Sequence, residues 1–262
     1  MLKPSPHQNS PWRWAVAGVF LGVVLATAAF APARWLAGWV HSASGGQVSL
    51  PDARGTVWSG SSQLMLSGGA GSQGNTAMPG RLDWRLRPGL RGFVLSARAP
   101  CCMAQPLQLS LQLGWGRFTA VVADHASNWP AGLLVGLGTP WNTIAAEGNL
   151  SVASKGLSLE WAEGRVSMVG GLQIDALEMA TRLSTVNPVG SYRVALDGGQ
   201  MVSLKVQTLQ GSLQLSGSGQ WVGGRLRFDG VASAEPQRLD ALSNLLNIIG
   251  RREGARSIIK LG

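Results

Sequence analysis

Leu107-Gln-Leu-Ser-Leu-Gln-Leu113 places leucine at every odd position and glutamine or serine at every even one. A period of two held over this length sets an apolar face against a polar one on a half-buried β-strand. A helix would scatter the same leucines around its circumference. The flanking sequence repeats the pattern. Across 81–87, Leu82, Trp84 and Leu86 share one face, while Arg81, Asp83, Arg85 and Arg87 share the other. Gly114-Trp115-Gly116 turns the leucine strand into Arg117–Val122. Asp197-Gly198-Gly199 joins Tyr192–Leu196 to Val202–Thr208, and Gly223-Gly224 joins Leu213–Trp221 to Leu226–Val231. Gly-Gly supplies the positive φ angles that primed turns need, so these runs are expected to form antiparallel hairpins.

One motif recurs. Trp161-Ala-Glu-Gly-Arg-Val-Ser-Met-Val-Gly170 and Trp221-Val-Gly-Gly-Arg-Leu-Arg-Phe-Asp-Gly230 share the form W-x-x-G-R-[VL]-x-[MF]-x-G, and Gly-x-Leu-x-[VL] precedes each, at Gly148 and Gly211. This suggests a duplicated hairpin unit. The expected fold is mainly β: a long curved antiparallel sheet built from hairpins, with one N-terminal transmembrane helix and a short C-terminal helix. Such a sheet must curl on itself or pack against something to bury its apolar face. Toward the N-terminus, 47–67 is expected as a strand, a turn at Pro51-Asp52 and a second strand bending at Gly60, and 68–80 as a loop. Helix is expected at 236–249, where Leu239, Leu242, Leu245, Leu246 and Ile249 recur at helical spacing. Pro236 suits the first turn, Gly250 the end, and Arg251-Arg252 the C-terminal dipole. A turn or two is expected over 130–138, and 256–261 returns as a strand.

Between Arg13 and Arg34 there is no charge, and the run from Trp14 to Ala33 is almost wholly apolar. Twenty helical residues span about 30 Å, the thickness of a bilayer's hydrocarbon core. Trp12 and Trp14 stand at one edge of the run, Trp35 and Trp39 at the other, as in an aromatic belt. Ala29-Phe30-Ala31 has the form of a signal-peptide cleavage site, but a cut there would leave Pro32 first, and the run is long for a signal peptide. The expected division is therefore 1–13 cytoplasmic tail, 14–33 transmembrane anchor and 34–262 periplasmic β-rich domain. Lys3 and Arg13 ahead of the span favour a cytoplasmic N-terminus.

Charged residues make up only 13% of the chain and glycine 36 of 262 residues, which suits a glycine-rich all-β protein. The net charge of +9 is spread singly along the strands rather than clustered, so nucleic acid is not an expected partner. Anionic headgroups of inner-membrane phospholipid or acidic protein surfaces suit such a charge better. The two cysteines, Cys101 and Cys102, are adjacent, which rules out a disulfide framework or a zinc site. Either a vicinal disulfide or two reduced thiols in a tight turn fits the pair.

No catalytic, cofactor-binding or metal site is expected. Of His7, His41 and His125, only His125 falls in the β region, and the neighbouring Asp124 would point away from it on a strand. Gly69-Ala-Gly71-Ser-Gln-Gly74 matches G-x-G-x-x-G, but a strand rather than a helix follows, so the dinucleotide reading fails. Trp58, Trp84, Trp115, Trp129, Trp141, Trp161 and Trp221 are expected in the core rather than along a ligand groove. An enzyme is not expected, nor a small-molecule substrate.

At Gly55-Thr-Val-Trp-Ser-Gly60 and at Leu245-Leu-Asn-Ile-Ile-Gly250-Arg251-Arg252-x-Gly254-x-Arg256, the chain resembles type II secretion system protein N. The resemblance implies a short cytoplasmic tail, one inner-membrane anchor and a periplasmic β-rich domain. It also implies an accessory role in exporting folded proteins across the bacterial outer membrane, through contacts with other type II secretion components, and it brings no catalytic residues. Arg251, Arg252 and Arg256 are candidate docking residues for an acidic partner. A one-span anchor with a glycine-rich sheet also resembles the AsmA-like periplasmic proteins, which implies, as the alternative, holding or conducting lipid in an apolar groove.

Overall fold

The computed structural model describes residues 12–69 and 74–262. Two helices open the described chain, α1 (Trp12–Ala29) and α2 (Ala33–Ala43). Short strands follow: β1 (Val48–Ser49), β2 (Arg54–Gly55), β3 (Ser59–Ser62), β4 (Met65–Ser67) and β5 (Asn75–Ala77). Next come β6 (Leu82–Gly89), β7 (Gly92–Arg98), β8 (Leu107–Gly114), β9 (Arg117–Val122) and β10 (His125–Pro130). A 3₁₀ segment, Ala131–Leu137, and the single turn α3 (Trp141–Ile144) lead to the long strands β11 (Glu147–Ala162) and β12 (Arg165–Ala180). The remainder is β13 (Gly190–Asp197), β14 (Ser203–Gly211), β15 (Leu213–Val222), β16 (Arg225–Ala234), α4 (Leu239–Ile249), β17 (Arg251–Glu253) and β18 (Arg256–Leu261).

One 15-stranded sheet runs in the order β17-β18-β16-β15-β14-β13-β12-β11-β9-β8-β7-β6-β3-β2, with β10 also pairing β11; β1, β4 and β5 form a separate three-stranded sheet. From β6 to β9 and from β11 to β16 every neighbour is a chain neighbour, and every pairing is antiparallel. This is the hairpin sheet expected from the alternation. Both copies of the recurring motif form the same tip: Ala162 pairs with Arg165 around Glu163-Gly164, and Val222 with Arg225 around Gly223-Gly224. All four tip residues have positive φ, at 51° and 72° in the first and 59° and 80° in the second, the geometry of a primed turn.

β11 is too long for one partner on its free side. β9 takes Ser158–Ala162 and β10 takes Asn149–Ser154. Between them the β11–β12 ladder slips at a bulge from Lys155 to Ser158. The bulge frees the Gly156 N–H, which donates to Asp124 Oδ1 at 2.7 Å, so a side chain completes what the ladder leaves open.

The apolar face is continuous across the strands. Leu86 stands beside Leu95 and Leu95 beside Leu109; Leu111 meets Ala120, Ala120 meets Leu159, and Leu159 meets Met168. Past the bulge, Leu172, Leu196, Leu204, Gly219 and Phe228 continue as successive neighbours. Phe228 is buried with no helix over it because its partners are glycines. A Cβ on Gly217 would lie 2.4 Å from its ring, and one on Gly219 3.0 Å from its Cβ.

Two ends of this face are covered. At one, α4 buries Leu242, Leu245 and Leu246 against Val189, Tyr192, Leu213 and Ala232. At the other, Leu133 of the 3₁₀ segment joins Met78, Ala99, Cys102 and Met103.

Several expectations need correcting. The apolar run is not one helix to Ala33: α1 ends at Ala29 and α2 begins at Ala33. Pro32, with φ −65° and ψ 145°, holds the joint extended because it has no N–H for a helical bond. The stretch 47–67 breaks into four short strands rather than two. The expected loop at 68–80 contains β5, although 70–73 lie outside the described residues. Of the expected core tryptophans only Trp84 is buried; Trp115 is fully exposed at a hairpin tip, and Trp141 and Trp161 are 39% and 40% exposed. The C-terminal helix starts as a 3₁₀ turn at Pro236–Arg238, and Arg251-Arg252 lie past Gly250 in β17 rather than at the helix end. The expected tail over 1–13 falls almost wholly outside the described residues.

Leu242 and Leu246 are completely buried, so the join of α4 to the sheet rests on them. Leu246→Ala is expected to lower unfolding stability by about 2–5 kcal/mol in urea titration. Leu246→Asp, which buries a carboxylate without a partner, is expected to detach the helix or unfold the domain.

Candidate docking surfaces

Between its two covered ends the apolar face stands half open. Leu86, Leu95, Leu109, Leu111, Leu172, Val194, Leu196, Leu204 and Val206 are each half-buried, and no helix lies across them. A row of branched side chains of this extent is an adhesive surface for another apolar surface or for acyl chains.

The opposite face is polar and carries paired charges. Asp175 on β12 and Arg193 on β13 are ladder neighbours. Arg193 Nε and Nη2 donate to the two carboxylate oxygens at 2.7 Å each, and Gln173 Nε2 adds a third bond at 3.0 Å. The Arg193 guanidinium holds the Asp175 carboxyl below the usual carboxylate range, against the opposing effect of partial burial. Nearer the N-terminus, Asp52 accepts from Arg81 at 2.7 Å and from Arg54 at 2.9 Å, which lowers its pKa in the same direction. The fold brings the Asp175–Arg193 and Asp52–Arg81 partners together from 18 and 29 residues apart in sequence. Burial pushes the Tyr192 phenol up, and its hydroxyl has no hydrogen-bond partner among the described residues.

The candidate docking arginines sit on the β17–β18 hairpin, which forms one edge of the sheet. Arg251 is open, with its side chain 84% exposed and Nη2 3.5 Å from Glu253 Oε1 on the same strand. Arg256 is exposed and lies opposite Glu253. Arg252 differs from both: its Nε donates to Gly254 O at 2.6 Å, and its Nη1 is buried without a partner among the described residues. The hairpin thus presents two arginines outward and turns the third in.

Cys101 and Cys102 are joined as a vicinal disulfide, the first of the two states the sequence left open. Cys102 packs in the core beside Met78 and Ala99, while Cys101 is exposed. A bridge between adjacent residues closes almost no loop and restrains the unfolded chain little. His125 opens β10 with Nε2 buried and unpartnered among the described residues, and Asp124 is engaged with Gly156 rather than with it. No group of three His, Cys, Asp or Glu side chains close enough to hold a metal ion occurs among the described residues. Of the G-x-G-x-x-G stretch, 70–73 lie outside the described residues, and a strand, not a helix, follows Gly74.

Comparison with known families decides what this architecture belongs to. Residues 46–259, from the first turn after α2 to the last strand, match the family described as "Type II secretion system (T2SS), protein N". The chain is a member of the type II secretion system protein N family. Neither a curated protein nor a solved structure matches it significantly. The family match spans the hairpin sheet and α4 together, so the sheet and its C-terminal cap belong to one family unit. Membership gives the chain a role in type II secretion alongside that machine's other components.

The Asp175–Arg193 pair yields a pH prediction. A carboxyl held below its unfolded value of about 4 stabilises the fold above that pH and loses the contribution as pH falls through the folded value. Asp175→Asn should therefore lower the urea midpoint near neutrality, and the gap from the parent chain should close as the titrations are moved to acid. A gap that stays constant with pH would assign the effect to packing instead.

Proposed function

We propose that this protein is an accessory inner-membrane component of a type II secretion system. In this reading α1 crosses the inner membrane with the N-terminus in the cytoplasm, and the sheet stands in the periplasm. It assists export of folded proteins across the outer membrane by protein–protein contacts and has no catalytic step of its own. The observation that carries the reading is the family match over the whole sheet. α1 supports it as the one helix among the described residues long and apolar enough to span a bilayer. Its 18 residues extend about 27 Å, near the hydrocarbon thickness, with no buried side chain.

Docking is assigned to the β17–β18 edge. Arg251 and Arg256 project there as exposed cations, and Arg252 stiffens the hairpin from within through its bond to Gly254 O. Such a patch suits an acidic partner surface, where complementary charge speeds encounter and fixes orientation.

A second reading has its own observation. The open middle of the apolar face suits acyl chains as well as a protein, which favours holding or conducting phospholipid.

Reversing charge at the edge, Arg251→Glu with Arg256→Glu, separates the two readings. Export of folded exoproteins is expected to fail while the variant remains inserted and folded. Normal export together with phospholipid that co-purifies with the parent chain would favour the lipid reading. A C-terminal alkaline phosphatase fusion is expected to be active, and the mature mass to include residues 1–33. A chain beginning near Pro32 would overturn the anchor.

A further inference from the structure

The joint between α1 and the sheet is fixed by hydrogen bonds. Trp58 Nε1 donates to the Ala28 carbonyl at 2.7 Å, which would otherwise be an open acceptor at the end of α1. The Val57 N–H donates to Ala31 O at 2.9 Å, and Pro32 bridges to Thr56. Immediately beyond this joint lies α2, whose faces are sharply divided. Ala33 is buried, and Leu36, Ala37 and Val40 are half-buried against the first strands. On the far side Trp35 and Trp39, one turn apart, are 53% and 68% exposed. Two indoles are thus held outward, without a hydrogen-bond or ring partner among the described residues, on a helix that already has an apolar contact on its other side.

We propose that α2 lies flat in the headgroup layer of the membrane that α1 crosses, with Trp35 and Trp39 immersed as anchors and Arg34 set at its flank against lipid phosphates. The proposal rests on α1 spanning the bilayer. Its occupant follows from position: α2 begins four residues after α1 ends, at the depth where amphipathic rings collect. Tryptophan suits that layer because its ring is apolar and its N–H finds water or headgroup acceptors. With the Trp58 bond on one side of the joint and α2 on the other, the sheet is set at a fixed attitude to the membrane surface rather than swinging on a tether.

The test places a photoreactive benzoyl-phenylalanine at Phe20, Trp35, Trp39 or Trp115 of the full chain in phosphatidylethanolamine–phosphatidylglycerol vesicles. Lipid adducts are then read by mass. Adducts are expected at 20, 35 and 39, with only background at 115. Trp39 lies about 6 Å along the helix from Trp35, so a flat helix labels at both and one standing off the surface labels at 35 alone. Labelling at 20 and 35 without 39, or at 20 alone, overturns the proposal while leaving the anchor in place. Absence of adducts at 20 removes the anchor and the proposal together. All four substitutions replace exposed aromatic side chains, so the faces that hold the fold are unchanged.

Discussion

A sheet with one apolar face in water is unstable until something covers that face, and most of this architecture answers that constraint. Almost all of the described strands belong to a single ladder of antiparallel neighbours, and the second sheet has only three short strands. Cover therefore comes from elsewhere. α4 and its three buried leucines close one end, and the 3₁₀ segment with Met78 and Met103 closes the other. In the middle, glycine lets a large side chain lie close to the sheet, as where Phe228 packs against Gly217 and Gly219. The glycine content thus has a packing role in addition to its place in turns. What remains half open is the row of leucines and valines across the centre, the surface on which the lipid reading rests.

The strands were legible wherever burial is one-sided. Leu107–Gly114, Arg117–Val122 and Arg256–Leu261 have the bounds, or nearly the bounds, that alternation implies, since a strand with one wet face records its geometry in every second residue. The hairpin tips were legible for a different reason: positive φ at both turn residues is costly without glycine, and Gly223-Gly224 supplies it. Where the chain is not one-sided, reading failed. The short strands between α2 and β6 are too brief for a period to show. β5 lies in a stretch whose small polar residues mimic a loop. Tryptophan misled because its size suggests a core, whereas Trp115 tops a hairpin and Trp141 and Trp161 are exposed.

The joint after α1 was hidden for a more specific reason. A run of apolar residues through Pro32 looks continuous by hydropathy, and only the missing proline N–H marks the break. The bonds that stabilise the break come from Val57 and Trp58, in a segment whose distance from α1 in space the sequence does not express. The candidate docking arginines were legible as charges but not as a surface. Arg251, Arg252 and Arg256 are equivalent in sequence, and only the β17–β18 register separates two outward cations from one that is tied inward.

Membership of the protein N family makes type II secretion the process in which the chain acts, and the proposal's central claim is that it contributes to export itself. Deleting its gene in the native host and locating a folded exoprotein tests this most directly. The account predicts that the exoprotein accumulates in the periplasm and returns to the medium when the full chain is restored. An exoprotein that reaches the medium at the parental rate without the chain would contradict it.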